Sequence, residues 1–286
     1  MVSGAQHLAA GIVPGPLRVR TLPLRSWIRW RAWRPLLLPV LFAVACLLAW
    51  QVLTVRLAVS PMLLVPPSAI WDVLVQAWPI LMTQTWPTLV NTVVGFLMAA
   101  GIGIAMGGAL VVSRRVEQAF WPHVLIFQLI PKVALAPLFI IWLGMGPSSR
   151  LCFAVFLSFF PIAVSAATGF RSADPTALRL CRSLTASTWQ TFIRVRMPYA
   201  IPHIFAGLKV GVTVAIIGVV IGEFVTAQEG LGYIIMFASS AAQTALVFAA
   251  IVLLCGIGLL LYGAVALAEL FVRRWYGAPI SVGGFE

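Results

Sequence analysis

The chain has 286 residues, 62% hydrophobic and 9% charged, with a formal net charge of +12 and a mean hydropathy of +1.04. Soluble domains carry roughly 25% charged residues, so an ordinary soluble fold is excluded and a membrane protein is indicated. The basic residues fall in short runs between apolar segments, so no nucleic-acid partner is expected.

Residues 1–34 are rich in Pro, Arg and Trp, with Trp27, Trp30 and Trp33 interleaved with Arg25, Arg29, Arg31 and Arg34. That composition suits a basic tail anchored on anionic lipid headgroups. Apolar residues continue to Val55 past any cleavage point, which argues against a signal peptide. A bilayer span needs about 20 mostly apolar residues. Six segments qualify, near residues 36–55, 89–112, 118–143, 151–170, 205–226 and 245–271. Lipid offers no partners to backbone amides, so these runs are expected to be helices. The expected fold is an all-α integral membrane protein, with one six-span domain over residues 35–275 and a short tail over 276–286. The four cysteines show neither metal-ligand spacing nor a pairing pattern, and read as structural thiols.

Taken in order, the second span carries Gly95, Ala99, Gly103 and Gly107 on one helical face, a pattern for close helix packing in lipid, within the chain first and otherwise at a dimer contact. It also carries the polar Asn91. The third span contains Gln128, Pro131, Lys132 and Trp142. Pro131 is expected to break that helix and expose carbonyls, which would hold the Lys132 ammonium or leave it facing a solute. Glu223 ends the fifth span beside a Gly-rich turn, Gln228 to Gly232. Intramembrane charges are functional candidates by default. Glu223 either shapes an outer gate or touches the solute, or else it snorkels to the interface or bonds free helix-end groups. A Lys132–Glu223 pair would form a gate.

The interval 174–209 is too long and too patterned to serve only as a turn. It keeps helical spacings while exposing Arg179, Arg182, Arg194 and Arg196. Asp174-Pro175 is a helix-start signal, and helices are expected near 175–184 and 187–196. Pro198 and Pro202 are expected to stop a helix and stiffen the joint into Lys209. With the N-terminus cytoplasmic, fifteen of the nineteen basic residues fall on the cytoplasmic side. The positive-inside rule then places both termini and this interval there. The chain has no G-x-x-x-x-G-K-[ST] loop, no H-E-x-x-H and no His cluster. It is therefore read as non-enzymatic, with ATP chemistry, if used, on another subunit.

Arg179-Leu180-Cys181, three residues, Thr185, nine residues, then Val195-Arg196-Met197-Pro198 resembles the signature of binding-protein-dependent ABC-transporter permeases. That signature reads Glu-Ala-Ala, three residues, Gly, nine residues, Ile-x-Leu-Pro; its Glu and Gly are Arg179 and Thr185 here. Ile130 to Leu138 with Ile141 to Gly146 resembles a run of the nitrate, sulfonate and taurine importer group. Phe159-Phe160-Pro161 and Gly222-Glu223-Phe224 continue the resemblance, which covers residues 66–275. It implies a permease subunit in a bacterial inner membrane, working as a homodimer with an external solute-binding protein and ABC ATPase subunits. No cofactor is expected on this chain, with ATP and Mg on the ATPase. The loop would couple through Arg179, Leu180, Cys181, Arg182, Leu184, Thr185, Val195, Met197 and Pro198. Pathway candidates are Lys132, Glu223, Gln128, Asn91 and Trp142. The solute is a small anion such as nitrate, a sulfonate or taurine, or a heteroaromatic such as a thiamine-precursor pyrimidine or riboflavin. A secondary transporter or channel, which usually shows repeat symmetry, and a non-transporting membrane scaffold are the alternatives.

Overall fold

The computed structural model describes residues 25–112, 114–226 and 228–276. Most of the expected N-terminal anchor, the C-terminal tail beyond Tyr276 and the Gln128 side chain lie outside the described residues. The chain divides into two compact units, Met1–Leu53 and Thr54–Glu286. Helix α1 (Arg25–Arg56) supplies the described part of the first and continues a few residues into the second.

The second unit is all-helical among its described residues. It continues with α2 (Pro67–Gln76), α3 (Trp78–Val112), α4 (Arg114–Leu129), a 3-10 turn (Lys132–Leu135), α5 (Ala136–Leu143) and α6 (Pro147–Arg171). There follow α7 (Pro175–Ser183), α8 (Thr188–Thr191), a π-turn (Phe192–Arg196), α9 (Met197–Thr226), α10 (Leu231–Ser240) and α11 (Thr244–Tyr276). Five helical stretches are long and apolar enough to cross a membrane: Leu37–Arg56, Trp78–Val111, Pro147–Arg171, Thr188–Thr226 and Thr244–Trp275.

The segment expected to form the third span is interrupted, as Pro131 foretold. Pro131 has no N–H to donate and disfavours helical backbone at Ile130. Helix α4 therefore stops at Leu129, and the chain restarts as a 3-10 turn and then α5. The expectation for Pro198 and Pro202 is corrected. Both lie within one helical run, Thr188–Thr226. The widened turn at Phe192–Arg196 lies just ahead of Pro198, where the regular ladder would lose a donor.

Helix α6 is the centre of the unit, packed between α3 and α9. Small residues set both contacts. A Cβ on Gly103 would come within 2.9 Å of Ile162, and one on Gly107 within 2.7 Å of Ala166. On α9, added Cβ atoms on Gly207, Gly211 and Gly218 would meet Ser165, Ile162 and Ala154 at 2.5, 2.6 and 2.8 Å. Rising numbers on α3 meet rising numbers on α6, whereas rising numbers on α9 meet falling ones. Thus α3 runs parallel to α6 and α9 runs antiparallel to it. Close backbone approach of this kind drives helix association where lipid removes the usual hydrophobic drive.

Candidate functional site

The segment between α6 and α9 is built by three local devices. Asp174 caps α7, its Oδ1 accepting from the Thr176 N–H at 2.9 Å, with Pro175 at the first helical position. Helix α7 ends in a Schellman motif. The Ala186 N–H donates to the Cys181 carbonyl at 3.0 Å and the Thr185 N–H to the Arg182 carbonyl at 3.1 Å. Ser187 and Gln190 then form a capping box at 3.2 and 2.9 Å. Thr185 sits at φ 55°, the left-handed conformation in which glycine carries no steric cost. The signature's Gly position thus keeps its geometry with a β-branched residue.

The two ends of this segment differ in how they are held. The Phe192 ring packs 4.9 Å from that of Phe170 on α6, and Met197 joins the same buried cluster. Arg196 donates to the Phe170 carbonyl at 3.3 Å. Val195 and Pro198 are half-buried, as is Cys181 on α7. By contrast, Leu180 and Leu184 are 59% and 69% exposed. Among the described residues, Arg179 donates only to the Thr176 hydroxyl, at 3.2 Å. Arg182 and Arg194 are exposed and have no hydrogen-bond or ion-pair partner among the described residues.

At the broken segment, the Lys132 ammonium lies 4.9 Å from the centroid of Phe160 on α6. Phe160 belongs to a chain of rings: Phe156 at 5.5 Å, then Phe139 at 5.5 Å from Phe156, then Trp142 at 5.9 Å from Phe139. Trp142 is 68% exposed, and Asn91 is half-buried on α3.

Glu223 is fully buried and serves the start of α10. Its Oε2 accepts from the Gly232 N–H at 2.8 Å, and its Oε1 from the Thr88 hydroxyl at 2.8 Å. The Thr88 oxygen accepts in turn from the Leu231 N–H at 2.9 Å, and Gln84 takes the Gly230 N–H at 2.7 Å. Three free amides of α10 are thus satisfied by α3 and α9 side chains, as a buried helix end requires. Gly230 sits at φ 101°, and a Cβ there would overlap the Glu223 carboxylate. Lys132 and Glu223, considered as a gate pair, have separate partners: Lys132 rests on Phe160, and Glu223 on Thr88 and Gly232.

Sequence reasoning missed two further charged groups. Arg150, at the start of α6, is 1% exposed and pairs with Glu229 at 2.7 Å. Lys209 on α9 pairs with Glu269 on α11 at 2.6 Å, and Arg273 joins that carboxylate at 2.9 Å. A carboxylate in the last apolar span, one helical turn before an Arg pair, was the available signal.

The family model described as binding-protein-dependent transport system inner membrane component matches residues 99–274. The chain is 30% identical to the formylaminopyrimidine transport permease protein of Halalkalibacterium halodurans, over 83% of this chain and 95% of that one. It is 29% identical to the taurine transport system permease protein of Escherichia coli, over 87% and 93%. A solved structure of the MetNI methionine ABC transporter in inward-facing conformations superposes with a TM-score of 0.59 at 20% identity, covering 68% of this chain and 95% of that one. The fold is shared. The chain belongs to the inner-membrane permeases of binding-protein-dependent ABC importers, a non-catalytic family whose ATPase is a separate subunit.

Proposed function

We propose that the segment 172–197 is the cytoplasmic coupling element of this permease, docking through α7 into its ABC ATPase and passing motion through the π-turn into α9. One observation carries this reading: Leu180, Leu184 and Arg182 are presented outward on a capped helix while the other end of the segment is packed against α6. Exposed large apolar side chains grouped on a short helix mark an interaction site. The positive-inside asymmetry supports a cytoplasmic position for this segment and both termini. The parallel run of α3 and α6 supports a return crossing by α4, the 3-10 turn and α5, and hence six crossings in a domain over residues 35–275.

In the working transporter two copies of the chain enclose the solute path, with ATP and Mg on the ATPase pair and an external binding protein delivering the solute. The path runs beside the broken third span, where Lys132, Trp142, Asn91 and Gln128 are the contact candidates. Glu223 shapes the outer end by fixing the α9–α10 turn. The aromatic chain from Phe160 to Trp142 with one ammonium favours a flat heteroaromatic or small anionic solute. The formylaminopyrimidine and taurine permeases among its relatives lie in the same range. The test is ATP hydrolysis in proteoliposomes holding the permease, its ATPase and its binding protein. Binding protein stimulates hydrolysis with wild type, and Leu180→Asp abolishes the stimulation; an unaffected Leu180→Asp overturns the reading.

A further inference from the structure

Where α9 packs against α11, cations outnumber the acid that holds them. The Lys209 Nζ lies 2.6 Å from one oxygen of Glu269, and an Arg273 terminal nitrogen lies 2.9 Å from the other. Each carboxylate oxygen is thus taken by a separate cation, and the trio keeps a surplus positive charge. The Arg273 Nε–H has no hydrogen-bond partner among the described residues. Arg274 follows directly, exposed and without an ion pair among the described residues, so three cations stand against one carboxylate. Lys209 and Arg273 keep 26% and 20% of their side chains exposed, so a ligand reaches both. The surface beside them is apolar, with Leu267, Leu270 and Phe271 exposed on α11. This corner closes a helical stretch long enough to cross a membrane, which ends at the exposed Trp275.

We propose that this corner of α9 and α11 holds the phosphate of an anionic phospholipid, with Lys209, Arg273 and Arg274 as its donors. A phosphodiester brings the negative charge that the trio lacks, and its two free oxygens accept charge-assisted hydrogen bonds from guanidinium and ammonium groups. Basic groups between spans at the headgroup level select anionic over zwitterionic lipid, because a choline cation would meet the same positive field. The apolar side chains on the same helix fit acyl chains lying along the span, and a tryptophan at the helix end fits the headgroup layer. A soluble phosphate shares the headgroup chemistry but leaves Leu267, Leu270 and Phe271 uncovered. The bound lipid would tie α9 to α11 by bridging Lys209 to the arginine pair.

The experiment uses the full transporter, purified with its ATPase in detergent and stripped of native lipid, and reads Tm as lipid is added. Phosphatidylglycerol raises Tm, whereas phosphatidylcholine and inorganic phosphate at the same concentration do not. Arg274→Gln, which breaks no hydrogen bond or ion pair among the described residues, raises the phosphatidylglycerol concentration at half-shift about fivefold. Glu269→Gln removes the competing carboxylate and lowers that concentration by a similar factor, although this variant starts from a lower Tm. A purely structural trio would leave the midpoint unchanged in Arg274→Gln, and that result overturns the proposal. Equal stabilisation by phosphatidylcholine also overturns it, as does stabilisation by inorganic phosphate alone, which would make this a site for a soluble anion. Phe271→Cys, in a permease otherwise free of cysteine, tests for a second copy on the same face. It stays monomeric under mild oxidation if lipid covers the face, and a disulfide between two permeases contradicts the lipid site.

Discussion

Replacing Glu223 with Ala tests the buried cap at the head of α10. The substitution removes the acceptor of the Gly232 N–H, bonded at 2.8 Å, and leaves that buried donor unpaired. An unsatisfied buried donor costs about 1–3 kcal/mol. The Thr88 hydroxyl loses its 2.8 Å acceptor but can turn to the Gln84 carbonyl at 3.3 Å, so its loss is partial. Removing a buried methylene adds about 0.8 kcal/mol. Against this stands the relief of burying a carboxylate, leaving a net destabilisation of about 2–3 kcal/mol. At about 2–4 °C per kcal/mol for a chain of this class, Tm in detergent falls by about 5–10 °C. Glu223→Gln keeps one acceptor for Gly232, at the cost of about one neutral hydrogen bond, so its Tm falls by less than about 4 °C. The assay is intrinsic fluorescence during heating of the purified permease. An Ala variant melting within about 1 °C of wild type, or a Gln variant melting below the Ala variant, would refute the capping argument.

Gly218→Ala drives a methyl to 2.8 Å from the Ala154 backbone, and this overpacking lowers stability by about 1–3 kcal/mol, read as a lower Tm. Gly230→Ala meets both a forbidden φ and the Glu223 carboxylate, and is expected to lose folded yield in size-exclusion chromatography. Thr185→Gly relieves about 1 kcal/mol of left-handed strain at the end of α7, and slows proteolytic cleavage of the 172–197 segment. Glu269→Gln leaves Lys209, 26% exposed, without its counter-charge and lowers Tm by several degrees, while Glu269→Asp retains most of it.

What the sequence revealed and what it hid divide by range. The apolar spans, the break at Pro131 and the capped start of α7 at Asp174-Pro175 depend on residues within a few positions of each other. Each was legible for that reason. The loop spacing was legible too, and Thr185 at φ 55° explains why spacing survives where the signature Gly does not: the Schellman bonds fix the backbone whatever residue occupies it. Glu223 shows the opposite case. Its partner Thr88 lies 135 positions away on α3, and no local pattern joins a span carboxylate to the head of a different helix. The same holds for Arg150 and Glu229, which pair across 79 positions with no local pattern to join them. Pro198 misled because a proline signals a helix end only when the preceding ladder cannot widen. Here a π-turn precedes it.

The coupling role of α7 is tested most directly by cross-linking from a single engineered cysteine. Leu184→Cys, in a permease otherwise free of cysteine, projects from the exposed end of α7. In membranes containing the assembled transporter, a short bifunctional reagent is expected to join it to the ATPase subunit, with the yield changing when ATP is bound. Attachment to the external binding protein instead, or an ATPase that is never captured from this position, would contradict the assignment.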